Sequence, residues 1–163
     1  MKCVACGAKM EVTHETRKLT SIGLSNVVVK DLEISRCGEC GEEEIAFPRI
    51  EELHRLVARC IVEKKGKLHF DEIRFLRKYL GWSGADFARH FGVAPETVSR
   101  WEHGKAEMGG TAERLLRLSV VHWSPVDEYP IERLDSISDK VAAKPLKLSV
   151  EHKRNGWDVL ASA

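Results

Sequence analysis

The sequence predicts an α+β protein: a small zinc-knuckle β domain, then an all-α helix-turn-helix domain, with a C-terminal helix and β-hairpin. Three observations predict it. Two C-x-x-C pairs flank a β-branched stretch, five apolar stripes of helical spacing follow one another between glycines, and an alternating segment near the end is broken by Asn155-Gly156.

The bulk properties set the frame for these elements. A chain of 163 residues is one domain or two small ones, too short for a large multidomain enzyme. Hydrophobic residues make up 43% and charged residues 31%, which excludes a disordered or collagenous chain, and the net charge of +1 names no partner. The start, MKCVACGAKM, has no apolar signal core, and no apolar run approaches the ~18 residues of a membrane helix. A reducing cytoplasm is therefore expected, where cysteines bind metal rather than pair.

Cys3 and Cys6 form one C-x-x-C, Cys37 and Cys40 the second, and each is followed by glycine. A two-residue spacer turns both thiolates toward one ion, the glycine supplies a left-handed backbone, and two such knuckles complete a tetrahedral four-sulfur shell for Zn2+. With no open position for water, that zinc is structural. A redox dithiol is the other reading, but one C-x-x-C suffices for it. His14 and His54 could in principle ligate metal, but the four cysteines already fill the shell, and Cys60, the fifth cysteine, belongs to a helical stripe as a buried small hydrophobe. Between the knuckles, Met10 to Thr20 and Val27 to Arg36 read as two strands joined by a turn near Gly23, giving a domain over residues 1–46 that should unfold on chelation.

Pro48 stands where a first helical turn would begin, and Ile50, Leu53, Leu56, Val57, Cys60 and Ile61 follow at helical spacing, a linker helix within 47–68. The all-α domain, 69–125, starts near Phe70 with the stripe Ile73, Leu76 and Leu80. Short helices are expected over 84–91, 95–103 and 111–121. The remainder, 126–163, reads as an amphipathic helix around Ile131, Leu134, Ile137 and Val141, then the hairpin. Packing or dimerisation is the role left for that extension.

Residues 82–105, WSGADFARHFGVAPETVSRWEHGK, have helix-turn-helix grammar. Ser83 caps the first helix, Phe87 and Ala88 face inward, Gly92 makes the turn, and Pro95 opens a recognition helix held by Val93 and Val98. Glu96, Thr97 and Arg100 then lie outward. Arg100 can grip guanine O6 and N7, Thr97 meets a thymine methyl or a phosphate, and Glu96 accepts from cytosine N4 or else repels the backbone. His103, Lys105, Arg89 and Ser99 are placed to touch phosphates, Ser83 counts among the expected DNA-binding residues as well as the cap, and Trp101 and Glu102 are scaffold. Residues 61 to 125 carry 11 Lys and Arg against 8 Asp and Glu, a net of +3 that leaves −2 elsewhere. One copy should bind duplex DNA weakly; a homodimer on a palindrome doubles the phosphate contacts.

The four cysteines, the linker helix and a helix-turn-helix ending S-R-W-E-H-G resemble the MqsA (YgiT-type) antitoxins, over about residues 1 to 125. The resemblance implies a zinc domain that binds a small toxin, usually an mRNA-cleaving ribonuclease, and an XRE or Cro-like domain that dimerises and represses the shared operon. Gly84 stands where the family commonly has Gln, and Glu96 where members read bases with Asn; Arg100 matches. The competing readings are a free-standing XRE-type regulator and a zinc-stabilised interaction module with the Val27 to Val29 edge open to strand addition. No nucleophile-base pair or phosphate loop points to an enzyme.

Overall fold

The computed structural model describes residues 1–123, 137, 141–154 and 156–162. The elements run β1 (Met10–Lys18), β2 (Val27–Cys37), β3 (Glu43–Ile45), α1 (Ile50–Glu63), α2 (Phe70–Tyr79), α3 (Gly84–Phe91), α4 (Pro95–Glu102), α5 (Gly110–Trp123), β4 (Leu148–Lys153) and β5 (Gly156–Ser162). They form two compact units. The first holds Met1–Leu19, Ser25–Leu53 and Lys147–Ala163; the second holds Thr20–Leu24 and His54–Leu146. No helix among the described residues is long and apolar enough to cross a membrane.

The first unit is one sheet in the order β1-β2-β4-β5, with β3 added to β2. β2 is its centre. β1 and β3 pair with it antiparallel, and β4 runs parallel to it, Val27 opposite Leu148 and Lys30 opposite Glu151. The uneven alternation of VVVKDLEISR has a physical cause. Glu15 faces Leu32 and Arg17 faces Val29, so a bulge at Lys30-Asp31, with Asp31 at φ 56, resets the strand's parity. Val27 and Val29 before the bulge, and Leu32 and Ile34 after it, are thereby all buried.

The hairpin expected around Asn155-Gly156 forms as β4 and β5, with Gly156 at φ 135. Its place corrects the sequence reading twice. Residues 147–163 are not a separate extension but complete the first unit's sheet, burying Leu148, Val150 and Trp157. The Val27 to Val29 edge is therefore not open to a partner strand, because β4 occupies it. Strand propensity could not reveal this pairing, since more than 100 residues separate the partners. The expected helix around 131–141 lies, apart from Ile137 and Val141, outside the described residues.

Helix α1 starts two residues later than Pro48 predicts. Arg49 takes φ 49, which reverses the chain before the helix, and its carbonyl then accepts from Glu52 and Leu53 N–H. The buried stripe is Leu53, Val57, Ala58, Ile61 and Val62; Leu56 and Cys60 are half-buried rather than buried. Burial still pushes the Cys60 thiol up to about 11.

In the second unit, Ile73, Leu76 and Leu80 of α2 are buried as expected, with Phe87, Val98, Trp101, Leu116 and Val120 from the later helices. Periodicity does not predict the buried ion pair of Arg117 and Glu113. Arg117 is 0% exposed on α5; its guanidinium donates to the carbonyls of Val62 and Gly66, at 2.8 and 2.7 Å, and to Glu113. Glu113 in turn accepts from Leu68 N–H. The pair thus satisfies the open carbonyls at the end of α1 and fixes the following turn, a use of a buried charge that depends on full hydrogen bonding.

Candidate functional site

The two C-x-x-C-G segments fold alike. Gly7 N–H donates to Cys3 O at 2.9 Å and Gly41 N–H to Cys37 O at 3.0 Å, with both glycines at φ 76. Cys3 N–H donates to Ala8 O and Cys37 N–H to Glu42 O, so each knuckle closes with the same pair of bonds. The left-handed glycine is what lets the chain turn back; any L-residue with a Cβ is strained there.

These turns bring Cys3, Cys6, Cys37 and Cys40 together, every Sγ within 4.8 Å of the others. Cys3 and Cys40 approach to 3.5 Å and Cys6 and Cys37 to 3.4 Å. Sulfurs of a tetrahedral shell at the ~2.3 Å zinc–sulfur length stand about 3.8 Å apart, so the donor set and its spacing fit a structural zinc. Cys3 and Cys37 are buried beside Met10, while Cys6 and Cys40 face outward. The backbone amides of Cys40 and Glu39 pull the Cys37 thiol down to about 7. His14 and His54 stand outside the cluster.

The second group of candidate residues lies on α3, α4 and the turn between them. Ser83 accepts from Asp86 N–H at 3.1 Å while Asp86 reaches back to Ser83 N–H, a reciprocal capping box that commits the Ser83 hydroxyl to the helix end. Gly92 ends α3 at φ 63, and Pro95 stands in the first turn of α4. Phe87 packs edge-on to Phe91 at 4.4 Å and tilted to Trp101 at 6.1 Å.

On α4, Val98, Trp101 and Glu102 are buried and Glu96, Ser99 and Arg100 exposed; Thr97 is half-buried. His103 and Lys105 are exposed beyond the helix end, with His103 Nδ1 2.7 Å from Ser99 O. Arg89, exposed on α3, is ion-paired to Asp86 at 2.7 Å.

Glu102 faces Arg77, a residue that sequence reading missed. Arg77 of α2 holds both Glu102 oxygens, the second at 3.1 Å, and donates to Trp82 O at 2.7 Å, so one guanidinium ties α2, α4 and the entry to α3 together. No local signal marks it, because its partner is 25 positions away.

The family model described as the antitoxin component of a bacterial toxin-antitoxin system, MqsA, matches residues 1–129. No curated protein and no solved structure matches the chain.

Proposed function

The chain belongs to the MqsA antitoxin family, and from that premise we propose that it is a dimeric, sequence-specific DNA-binding repressor. It autoregulates its operon and neutralises a ribonuclease toxin through the four-cysteine unit. One observation carries the DNA-binding half: α4 turns its apolar side inward and presents Glu96, Ser99 and Arg100 outward, after a glycine turn from α3. That is the arrangement a recognition helix needs to meet base edges in the major groove. We therefore read α3 and α4 as the helix-turn-helix.

In this reading Arg100 contacts guanine, and Thr97 and Glu96 contact neighbouring bases. Ser99, His103, Lys105 and Arg89 touch phosphates. Ser83 acts mainly by holding α3, since its hydroxyl is engaged with Asp86. A palindromic operator follows from a two-fold dimer, for which exposed Leu115 and Leu118 on α5 offer an apolar surface. Zinc holds the knuckles and takes no part in chemistry; the function is regulatory rather than enzymatic.

Co-expression with the product of the neighbouring gene tests the antitoxin half. Rescue of growth and co-purification of a stable complex are expected. A neighbour that neither binds nor is neutralised removes the toxin from the account and leaves a free-standing regulator.

A further inference from the structure

A cleft in the first unit, away from the four cysteines, has a composition that the proposed function does not use. Its volume is about 490 Å³, within the range of specific ligand sites. His14, Asp31, Glu33, Phe47, His152 and Trp157 are among its lining residues, and no Lys or Arg is. His152 and Trp157 come from β4 and β5, beyond the stretch matched by the family model.

Asp31 and Glu33 give this cleft two carboxylate acceptors. Asp31 is raised out of the strand by the β2 bulge, and Glu33 stands opposite His14 in the β1–β2 register. Neither carboxylate has an ion-pair partner among the described residues. His152 Nε2 is shielded from water and has no hydrogen-bond partner there. Trp157, the one indole, spends its N–H on Pro48 O at 2.9 Å, which fixes the ring and leaves the cleft without that donor. Trp157 and Phe47 contribute aromatic surface, with His152 edge-on to Trp157 at 5.2 Å.

We propose that this cleft is the pocket for an arginine side chain presented by a protein partner. A guanidinium has five N–H donors and no acceptor, so it complements two carboxylates together. Its flat, weakly hydrated face stacks on aromatic rings, which a compact ammonium does less well. The bulge explains why an aspartate occupies a left-handed position: it aims a carboxylate where regular pleating would not. That the partner is the toxin rests on the neutralising role proposed above.

The test uses the full-length, zinc-loaded, 15N-labelled protein titrated with N-acetyl-arginine amide and, separately, with the neutral N-acetyl-citrulline amide. Saturable shifts are expected at the Trp157 indole N–H, assigned with Trp157→Phe, and at the Glu33 and His152 amides, with arginine but not citrulline. Asp31→Asn with Glu33→Gln keeps shape, and asparagine tolerates the left-handed backbone, so this pair should weaken both arginine and toxin binding about tenfold or more. Equal responses to both amides, shifts elsewhere, or toxin affinity unchanged in the double variant would overturn the pocket and leave neutralisation standing. Arginine-selective shifts in a protein that binds no toxin would instead remove neutralisation and retain the pocket.

Discussion

Single residues divide into those that shape the second unit and those that would read DNA. Arg77 and Glu102 are the clearest of the first kind, with side chains 13% and 9% exposed. Removing one partner strands a buried charge, so Arg77→Ala should lower stability by about 3 kcal/mol, while Arg77→Met with Glu102→Met should lose much less. Denaturant titration of the three variants checks this. Arg100 is of the second kind. Arg100→Ala should weaken binding at the operator by about 1–3 kcal/mol and barely alter binding to random DNA, whereas Lys105→Ala should weaken both alike. Equal losses for Arg100→Ala on the two DNAs would refute a base contact. A third residue sets acid sensitivity. Hydrogen bonding from Arg36 holds the Glu15 carboxyl down to about 2, so its contribution is present above the ordinary carboxylate range and is lost as pH falls toward that value. Arg36→Met should flatten that acid-side decline, and identical acid profiles by circular dichroism would contradict it. Ser83, Gly92 and Pro95 were legible from sequence because caps and turns act over three or four residues. Arg77, Glu113 and Arg117 were not, because helical periodicity treats every charge as solvent-facing.

Elements show the same division between local and distant causes. α3 was placed to the residue by its serine cap and glycine stop, and the start of α2 was legible from its apolar stripe. The knuckles were legible because spacing alone dictates them. The membership of β4 and β5 in the first sheet was not, since parallel pairing leaves no short-range mark. This membership revises the expected effect of chelation. Val27, Val29, Ile34, Leu148 and Val150 are each at most 2% exposed, and burying such a side chain stabilises by roughly 1.5–3 kcal/mol. The sheet therefore has an apolar core of its own, and metal removal should release residues 1–9 and 37–45 rather than all of 1–46. Hydrogen exchange is the check: amides of Gly7 and Gly41 should lose protection in chelator while those of Val29 and Val150 keep it. Loss of protection across the whole sheet would show that the metal alone holds the unit. Truncation after residue 146 makes the complementary prediction. It bares the edge of β2 along Val27 to Lys30 and should cause association and loss of strand signal, with the α-helical signal preserved.

At the scale of the whole molecule, a net charge of +1 conceals a surplus of +3 in residues 61 to 125, the stretch that contains α3 and α4. In the proposed function, a surplus that small would make sequence-specific contacts and dimerisation count for more than bulk attraction. Specific binding should therefore fall with salt along a shallower slope than that of a strongly basic regulator. The family match over residues 1–129 takes in both the four-cysteine knuckles and the α3–α4 pair. The sequence alone could be read to that level because both parts announce themselves by spacing. It could not place the operator bases or the arginine cleft, which arises only when β2, β4 and β5 are side by side. The most direct test of the account is binding of the full-length protein to its own promoter at ~50 mM salt, where phosphate contacts are least screened. A retarded complex that survives excess random DNA and is lost in Arg100→Ala is the predicted result. No complex with the promoter, or one that random DNA abolishes equally well, would contradict it.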